Sequence, residues 1–172
     1  MIDLTGVSHH RLLELLSYDP STGVFTRKVS LSNRTPVGSI AGTVTKGYSY
    51  LYVDGTRYAA HRLAWFYVHG VWPTNLLDHR NLYGTVNNID NLRPATKSTN
   101  GANRGLNKNN SSGFKGVVEF RKNRFLAGIK VNKVYKRLGY FLDPKEAAVA
   151  YDLAAVEHFG EFALTNKSLG LL

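Results

Sequence analysis

The segment between Leu77 and Asn100, which reads LDHRNLYGTVNNIDNLRPATKSTN, contains residue types that can hydrolyse a phosphodiester bond. This reaction needs a base that activates water and a cation that stabilises charge on the phosphate and on the leaving oxygen. His79 is the natural base, because histidine titrates close to neutral pH. The side-chain oxygens of Asp78 and Asn100 are hard ligands that suit magnesium or manganese. The segment therefore predicts metal-assisted hydrolysis.

The same residues also have a structural interpretation. A single Asp-His pair is more often structural than catalytic, and asparagines in a loop usually cap turns. Their order along the chain carries more information than any one of them. A strand at 76–78 is followed by a polar loop, by a second strand that ends at Leu92-Arg93, and by a helix with Pro94 at its first position. This strand-loop-strand-helix order predicts that the polar groups act together.

The composition favours a polyanion as the partner. The 172-residue chain has 22 lysines and arginines against 12 aspartates and glutamates, which gives a formal net charge of +10. Nucleic acid is the leading partner class on this basis, with double-stranded DNA as the partner that we expect from the motifs described below and RNA or the ribosome as an alternative that the same charge would suit. The chain has no cysteines, which excludes disulfide scaffolds, thiolate metal sites and cysteine nucleophiles.

Targeting and membrane signals are missing from the sequence. No segment has an apolar run of signal-peptide length at the N-terminus, and none approaches the length of a membrane span. We therefore expect a soluble protein of the cytoplasm, or of the host-cell cytoplasm if a phage encodes it. We expect no membrane partner and no obligate protein partner, so that the protein is a monomer or a weak dimer.

A linker is predicted at 101–113, where the sequence GANRGLNKNNSSG is rich in Asn, Gly and Ser. It divides the chain into a first region, 1–100, and a second region that follows the linker. The first region is expected to hold a helix at 11–16, strands at 23–28 and 47–53, and a buried helix at 58–68. Asp54-Gly55 is a dipeptide that favours a two-residue hairpin turn.

The second region predicts a small sheet and one helix. Three strands, at 116–120, 124–131 and 134–141, are separated by short turns and should form an antiparallel meander. Asp143 as the N-cap and Pro144 at the first helical position predict a helix that runs to about Phe159. The predicted fold class is therefore α+β, with a three-stranded antiparallel sheet packed on one helix at the C-terminal side.

Charge is divided between these elements. Eight basic residues and a single acid, Glu119, lie between Lys115 and Arg137, whereas 143–161 has five acids and one lysine. A solvated face is the plainer explanation, because exposed strands often carry lysine. The eight-to-one ratio favours a sheet that faces nucleic acid, since a two- or three-stranded sheet can enter the major groove.

The Asp-His pair, the Asn-Asn and Asn-Leu-Arg groups and the asparagine on the following helix resemble the HNH nuclease motif. This motif belongs to the ββα-metal fold, and the variant is that of phage-encoded HNH homing endonucleases. The resemblance implies an N-terminal nuclease domain at 1–100, with its ββα-metal core at about 61–104. It also implies the following roles in catalysis and DNA binding: His79 as the general base, Asp78 and Asn100 as ligands of one Mg²⁺ or Mn²⁺ ion per active site, Asn91 as the residue that pins the hairpin loop, Arg93 near the phosphate, and Arg62 as a phosphate contact.

The second region resembles the APETALA/ethylene-response-factor (ERF) DNA-binding domain, over 114–166. The resemblance rests on SSGFKGV, RFLAGIKV and KRLGYF along the strands, on EAAVAYDLAAVEHFG in the helix, and on the closing ALTN. In that family strand side chains enter the major groove, which here nominates five residues: Arg121, Arg124, Lys130, Tyr135 and Arg137. Val118 and Arg137 differ from the residues usual in plant members, so the target sequence of those proteins does not transfer.

These features predict a metal-dependent DNA endonuclease of the HNH type, similar to homing endonucleases. It would use a histidine base and one divalent metal ion, and one active site per chain predicts nicking of one strand at a time. The alternative is a non-catalytic, sequence-specific DNA-binding protein with a degenerate HNH hairpin. The alternative predicts DNA binding that falls steeply with salt and is indifferent to chelator.

Overall fold

A computed structural model describes residues 6–30 and 32–172. In this part of the chain four α-helices and several small sheets form a mixed fold, which confirms the predicted α+β class. The chain divides into two compact units, the first ending at Pro94 and the second starting at Ala95. Among the described residues, no helix combines the length and the apolar character needed to span a bilayer.

The first unit combines two helices with small sheets. Its elements, in chain order, are α1 (His9–Leu15), β1 (Leu16–Asp19), β2 (Val24–Arg27), β3 (Thr43–Thr45), β4 (Tyr48–Val53), β5 (Thr56–Ala59), α2 (Ala60–His69), β6 (Leu76–His79) and β7 (Leu92–Ala95). Strand β1 pairs with β2, β4 lies between β3 and β5, and β6 pairs with β7. The predicted helix at 58–68 begins two residues later, because Tyr58 and Ala59 continue strand β5.

The core of the first unit lies under α1, α2 and β4. Leu12 of α1 and Leu63 of α2 are fully buried, and they share one cluster with Leu51 of β4 and Phe25 of β2. This packing holds α2 against the sheet. The turn between β4 and β5 is at Asp54 and Gly55, as expected, and both residues have positive φ. Two positive φ values are what a tight hairpin turn needs.

The predicted helix start at Pro94 is wrong. Pro94 lies inside strand β7, and the helix that follows, α3 (Lys97–Ala102), begins three residues later. The reason is local, because Thr96 and Thr99 form a capping box in which each side chain receives a backbone N–H from the other residue. A hydroxyl cap therefore sets the start of the helix, and proline does not.

The second unit contains α3, the strands β8 (Val117–Arg121), β9 (Arg124–Val131) and β10 (Val134–Phe141), and the helix α4 (Pro144–Phe159). The strands form an antiparallel sheet with β9 in the centre, as predicted. Asp143 caps α4 by accepting the backbone N–H of Lys145. The helix buries Ala147, Ala154 and Phe159, and the small alanines let it pack closely on the sheet.

Gly116 and Asn166 make the contacts that fix the sheet on α4. A Cβ on Gly116 would come within 1.8 Å of the ring of Tyr151, so only a glycine lets β8 approach the helix here. Asn166 is completely buried and bonds with its side chain to the backbone of Lys115 and to the carboxylate of Asp152. Tyr151 and Asp152 of α4 and the closing asparagine, Asn166, therefore stabilise the second unit.

Candidate active site

Asp78 and His79 lie at the end of strand β6, and both side chains are buried. Consecutive residues of a strand normally point to opposite faces, so two buried neighbours need different partners. Asp78 finds its partner on the paired strand, where Nε and Nη2 of Arg93 each lie 2.9 Å from Oδ2 of Asp78. The structure thus places Arg93 on the carboxylate that was predicted to bind metal.

His79 is held by Asn87, the first residue of the Asn-Asn group in the predicted HNH motif. Nε2 of His79 lies 3.2 Å from Oδ1 of Asn87. The amide nitrogen of Asn87 donates to the carbonyl oxygen of Thr85, which settles that the oxygen faces the histidine. An amide oxygen only accepts, so Nε2 of His79 is the donor in this hydrogen bond.

Asn91 closes the loop between β6 and β7. Its Nδ2 donates to the carbonyl oxygen of Val86 at 2.7 Å and to Oδ1 of Asn81 at 3.0 Å. Its Oδ1 accepts the backbone N–H of Asn81, and its carbonyl oxygen accepts the backbone N–H of Arg80. We call this group of bonds the asparagine clamp. It joins both ends of the loop, which is the position that pinning the loop requires.

Two further rings meet His79, and only one of them could be suspected from the sequence. The ring centroid of His79 lies 5.2 Å from that of His61 and 6.0 Å from that of Tyr48. Tyr48 and His61 are 6.1 Å apart, so each ring contacts both of the others. We call Tyr48, His61 and His79 the three-ring cluster. His61 lies at the start of the ββα-metal core predicted at about 61–104, but Tyr48 lies 31 positions before His79 on a strand of a different sheet.

His61 is an uncharged member of the three-ring cluster. Its Nδ1 is buried and has no hydrogen-bond partner in the described part of the chain. Burial lowers its pKa to about 4, and the neighbouring charges of His79 and Arg62 act in the same direction. Burial disfavours the charged imidazole because the protonated ring loses its hydration. At neutral pH His61 therefore contributes an aromatic surface and no charge.

The β1–β2 hairpin contacts the loop between β6 and β7 from the outside. We call this loop of the predicted HNH motif the nuclease loop. The hydroxyl of Tyr18 donates to the carbonyl oxygen of Asn87 at 2.7 Å, and the N–H of Ile89 donates to the carbonyl oxygen of Pro20 at 3.0 Å. At Gly23 an added Cβ would lie 2.2 Å from the backbone nitrogen of Asn88. The hairpin backbone therefore touches the loop backbone, and part of the region before residue 45 packs beside the site.

The second predicted metal ligand, Asn100, lies on α3, which belongs to the second unit. Its role as a ligand rests on the resemblance. In residues 6–30 and 32–172 no three histidine, aspartate or glutamate side chains gather into a group that could hold a metal ion. A donor set of one carboxylate and one amide oxygen still fits Mg²⁺, which proteins often hold through one or two carboxylates while it keeps waters and substrate phosphate oxygens.

The residues nominated for DNA contact fall into two environments. Arg62 is half-buried, its Nη2 donates to the carbonyl oxygen of Pro73 at 3.1 Å, and burial lowers its pKa. The five residues of the second unit are all exposed, namely Arg121, Arg124, Lys130, Tyr135 and Arg137. Strand pairing aligns them on one face, because Lys130 lies opposite Tyr135 and Arg121 opposite Arg124. We call these five residues the basic sheet face.

Two of the eight basic residues between Lys115 and Arg137 are bonded to other parts of the second unit. Nζ of Lys115 donates to the carbonyl oxygens of Ala102 and Leu164, and burial lowers its pKa to about 8. Nζ of Lys136 lies 3.3 Å from Nε2 of His158 on α4. The prediction that the sheet presents its cations to a polyanion is therefore too broad for these two lysines.

The first unit thus carries a strand-loop-strand hairpin with a buried Asp-His pair and an asparagine-closed loop. Residues 58–102 match the HNH endonuclease family. The chain is also 34% identical over 101 residues to an uncharacterized HNH endonuclease of Acanthamoeba polyphaga mimivirus, over 58% of this chain and 52% of that protein. The chain therefore spans about half the length of this curated relative. Residues 58–102 form an HNH endonuclease domain, a family whose members are nucleases that generally use a divalent metal.

Proposed function

We propose that this protein is a metal-dependent DNA endonuclease that nicks one strand at a time. The observation that carries the proposal is the position of His79 within an HNH domain, where the buried histidine is held by Asn87 next to Asp78. The imidazole of His79 accepts a proton from water while the water oxygen attacks the phosphorus. The bond from phosphorus to the leaving sugar oxygen breaks, and that oxygen takes a proton from solvent.

The metal in this proposal is one Mg²⁺ or Mn²⁺ ion, with Asp78 and Asn100 as its protein ligands. When bound, the ion stabilises negative charge on the phosphate and on the leaving oxygen. Arg93 donates two hydrogen bonds to Oδ2 of Asp78 and so orients this carboxylate. The expected effect of Arg93 near the phosphate is therefore exerted through the position of Asp78. Asn91 keeps the loop closed through the asparagine clamp.

DNA binding is proposed to use the basic sheet face together with Arg62. The family match ends at residue 102 and does not cover 114–166. The ERF-like assignment of 114–166 rests on the sequence resemblance, and the observed order of three strands and one helix supports it. Exposed arginines and lysines on a sheet can contact phosphates and read guanine in the major groove. Duplex DNA is therefore the substrate we propose.

The test is nicking of supercoiled plasmid by the full chain, with Mg²⁺ and with EDTA. We expect wild-type protein to produce open circles only with the metal. His79→Ala should lower the nicking rate by about 10²–10⁴-fold, since that is the usual contribution of a general base. His69→Ala is the matched control, because His69 lies exposed at the end of α2 against Trp65.

Each outcome separates the proposal from its alternative. If His79→Ala folds, binds DNA and still nicks plasmid at the wild-type rate with metal, the assignment of His79 is wrong. If wild-type protein binds DNA equally with and without EDTA and gives no cleavage product, the protein is a DNA-binding protein with a degenerate HNH hairpin.

A further inference from the structure

The imidazole of His79 is held at its Cβ by strand β6 and at its Nε2 by Oδ1 of Asn87, and two aromatic rings contact it in addition. A general base must lie within hydrogen-bond reach of its water, and a displacement of about 1 Å can cost about 10²-fold in rate. Packing that supports the ring against such a displacement should therefore affect the rate.

The three-ring cluster supplies that support from two elements. Tyr48 begins strand β4 and His61 lies in the first turn of α2. The His79 ring meets Tyr48 at 60° and His61 at 72°, both edge-to-face arrangements. Aromatic pairs favour this geometry, and each is worth about 0.5–1.5 kcal/mol beyond its buried area.

Gly84 fits the cluster into the nuclease loop. A Cβ at this position would lie 2.6 Å from Cδ1 of Tyr48 and 2.6 Å from the carbonyl oxygen of Gly47. The backbone of Gly84 is not left-handed, so the contact, and not the conformation, requires glycine. The loop that follows His79 therefore lies directly against the ring of Tyr48, which in turn contacts the ring of His79.

We propose that Tyr48 and His61 are positioning residues that fix the ring plane of His79 by packing and exchange no proton in the reaction. This inference rests on the proposed function of His79. The buried, unpartnered Nδ1 of His61 is consistent with a packing role, because a neutral ring in this place offers a face and an edge and no exchangeable charge.

The first test replaces Tyr48. In Tyr48→Leu we expect the single-turnover nicking rate at saturating DNA to fall about tenfold or more, with the DNA dissociation constant and the melting temperature near wild type. Tyr48→Phe keeps the ring and should restore the rate to within about twofold. Tyr52→Leu is the matched control, since Tyr52 lies on the same strand and is 65% exposed.

The second test separates packing from proton transfer at His61. His61→Phe keeps an aromatic ring without nitrogen and should retain most of the nicking rate, whereas His61→Ala should lose about tenfold or more. A Phe variant as inactive as His79→Ala would overturn the packing role and assign a proton to His61. His69→Ala again controls for loss of a histidine from α2.

The outcomes also distinguish this inference from the proposed function. If wild type nicks, His79→Ala does not, and Tyr48→Leu nicks at the wild-type rate, the positioning role is wrong while the assignment of His79 stands. If Tyr48→Leu fails to fold, Gly84→Ala, which pushes the same ring away, must lower the rate at unchanged DNA affinity, and a wild-type rate in that variant contradicts the inference. If wild type and His79→Ala behave alike, the proposed function itself fails.

Discussion

Two histidines of the first unit lie in ring contact but have different surroundings. His79 has Nε2 against Asn87, whereas His61 has a buried Nδ1 without a partner. The groups that act on the charge of His61 are His79 from β6 and Arg62 from its own helix, and the ring of Tyr48 faces it from β4. Under the proposed function, two chemically identical side chains therefore serve as base and as packing surface in one site.

The environment of His61 predicts a pH dependence of stability. Its pKa is about 4 in the folded chain against an ordinary 6.5, so between these values the unfolded chain binds a proton here and the folded chain does not. Stability is therefore fully present above about pH 6.5 and falls as the pH drops towards 4, by up to about 3 kcal/mol. Urea unfolding at pH 7.5 and 4.5 measures this loss.

The matched variant for that measurement is His61→Phe, which has no titrating ring. We expect the free energy of unfolding of wild type to drop by about 2–3 kcal/mol more than that of the variant between the two pH values. Equal losses in the two proteins would show that His61 takes up its proton at the same pH in the folded and unfolded chains.

The sequence named Asp78 and His79 because an acid and a histidine side by side are visible without a structure. It also placed Asn91 in the loop. It missed the bond from Asn87 to His79 and the contact of Tyr48, and no local pattern could have shown either. Which of several asparagines turns inward, and which tyrosine of a distant strand reaches the site, depends on how separate elements pack.

At the scale of elements, the nuclease hairpin is stabilised by its neighbours as well as by its own bonds. The β1–β2 hairpin touches the loop through Tyr18, Pro20 and Gly23. A two-stranded hairpin alone is marginally stable in water, so such external support is expected. The β1–β2 hairpin therefore has a structural role beside the loop between β6 and β7.

Gly23→Ala tests this support. Gly23 has φ +76°, and the added Cβ would collide with backbone atoms of Asn87 and Asn88, which cannot rotate away. We expect a loss of unfolding free energy of about 3 kcal/mol or more, together with slower nicking because Asn87 moves. Gly38→Ala is the control, since Gly38 has φ +81° and open space around it, and should cost about 1–2 kcal/mol.

If the two alanine variants lose the same stability, the hairpin contact has no energetic weight and only the left-handed conformation matters. Differential scanning calorimetry of both proteins, with the plasmid assay in parallel, gives this comparison directly.

Elements set by local chemistry were the ones that the sequence predicted best. The turns of the second unit contain Asn123, Asn132 and Lys133 with positive φ, and α4 starts at a capped proline, so their positions follow from a few adjacent residues. The prediction of a helix start at Pro94 was wrong because proline is compatible with a strand as well as with a helix start. Only the hydroxyl pair of Thr96 and Thr99 decides between the two.

At the scale of the whole molecule, the net charge of +10 is not one uniform surface. The basic sheet face is exposed, whereas Lys115 and Lys136 of the same region are engaged by backbone carbonyls and by His158. Composition predicted a polyanion partner but could not tell which cations reach it. The partition depends on which side of the sheet packs on α4.

This partition predicts the salt dependence of DNA binding. The double variant Arg124→Ala, Lys130→Ala should bind duplex DNA more weakly and reduce the slope of log affinity against log salt by about one for each phosphate that the protein no longer neutralises. Lys136→Ala removes one positive charge from the helix side of the sheet and should leave the slope nearly unchanged. Fluorescence anisotropy in EDTA across a salt series measures both slopes.

Equal slopes for the double variant and wild type would place the DNA elsewhere on the protein. Equal effects of Lys136→Ala and of a single change on the basic sheet face would mean that only total charge matters. RNA duplexes in the same titration test the alternative partner class.

The asparagine clamp also affects how the reaction can be controlled. Amide hydrogen bonds neither oxidise nor depend on a bound ion, so reductants and chelators should leave the nuclease loop folded. Domains built on cysteine-bound zinc unfold when the zinc is removed. For the proposed metal-dependent nuclease, we therefore expect that the protein can be loaded on DNA in a chelator and the reaction started by adding magnesium, which would make the chemical step observable apart from assembly.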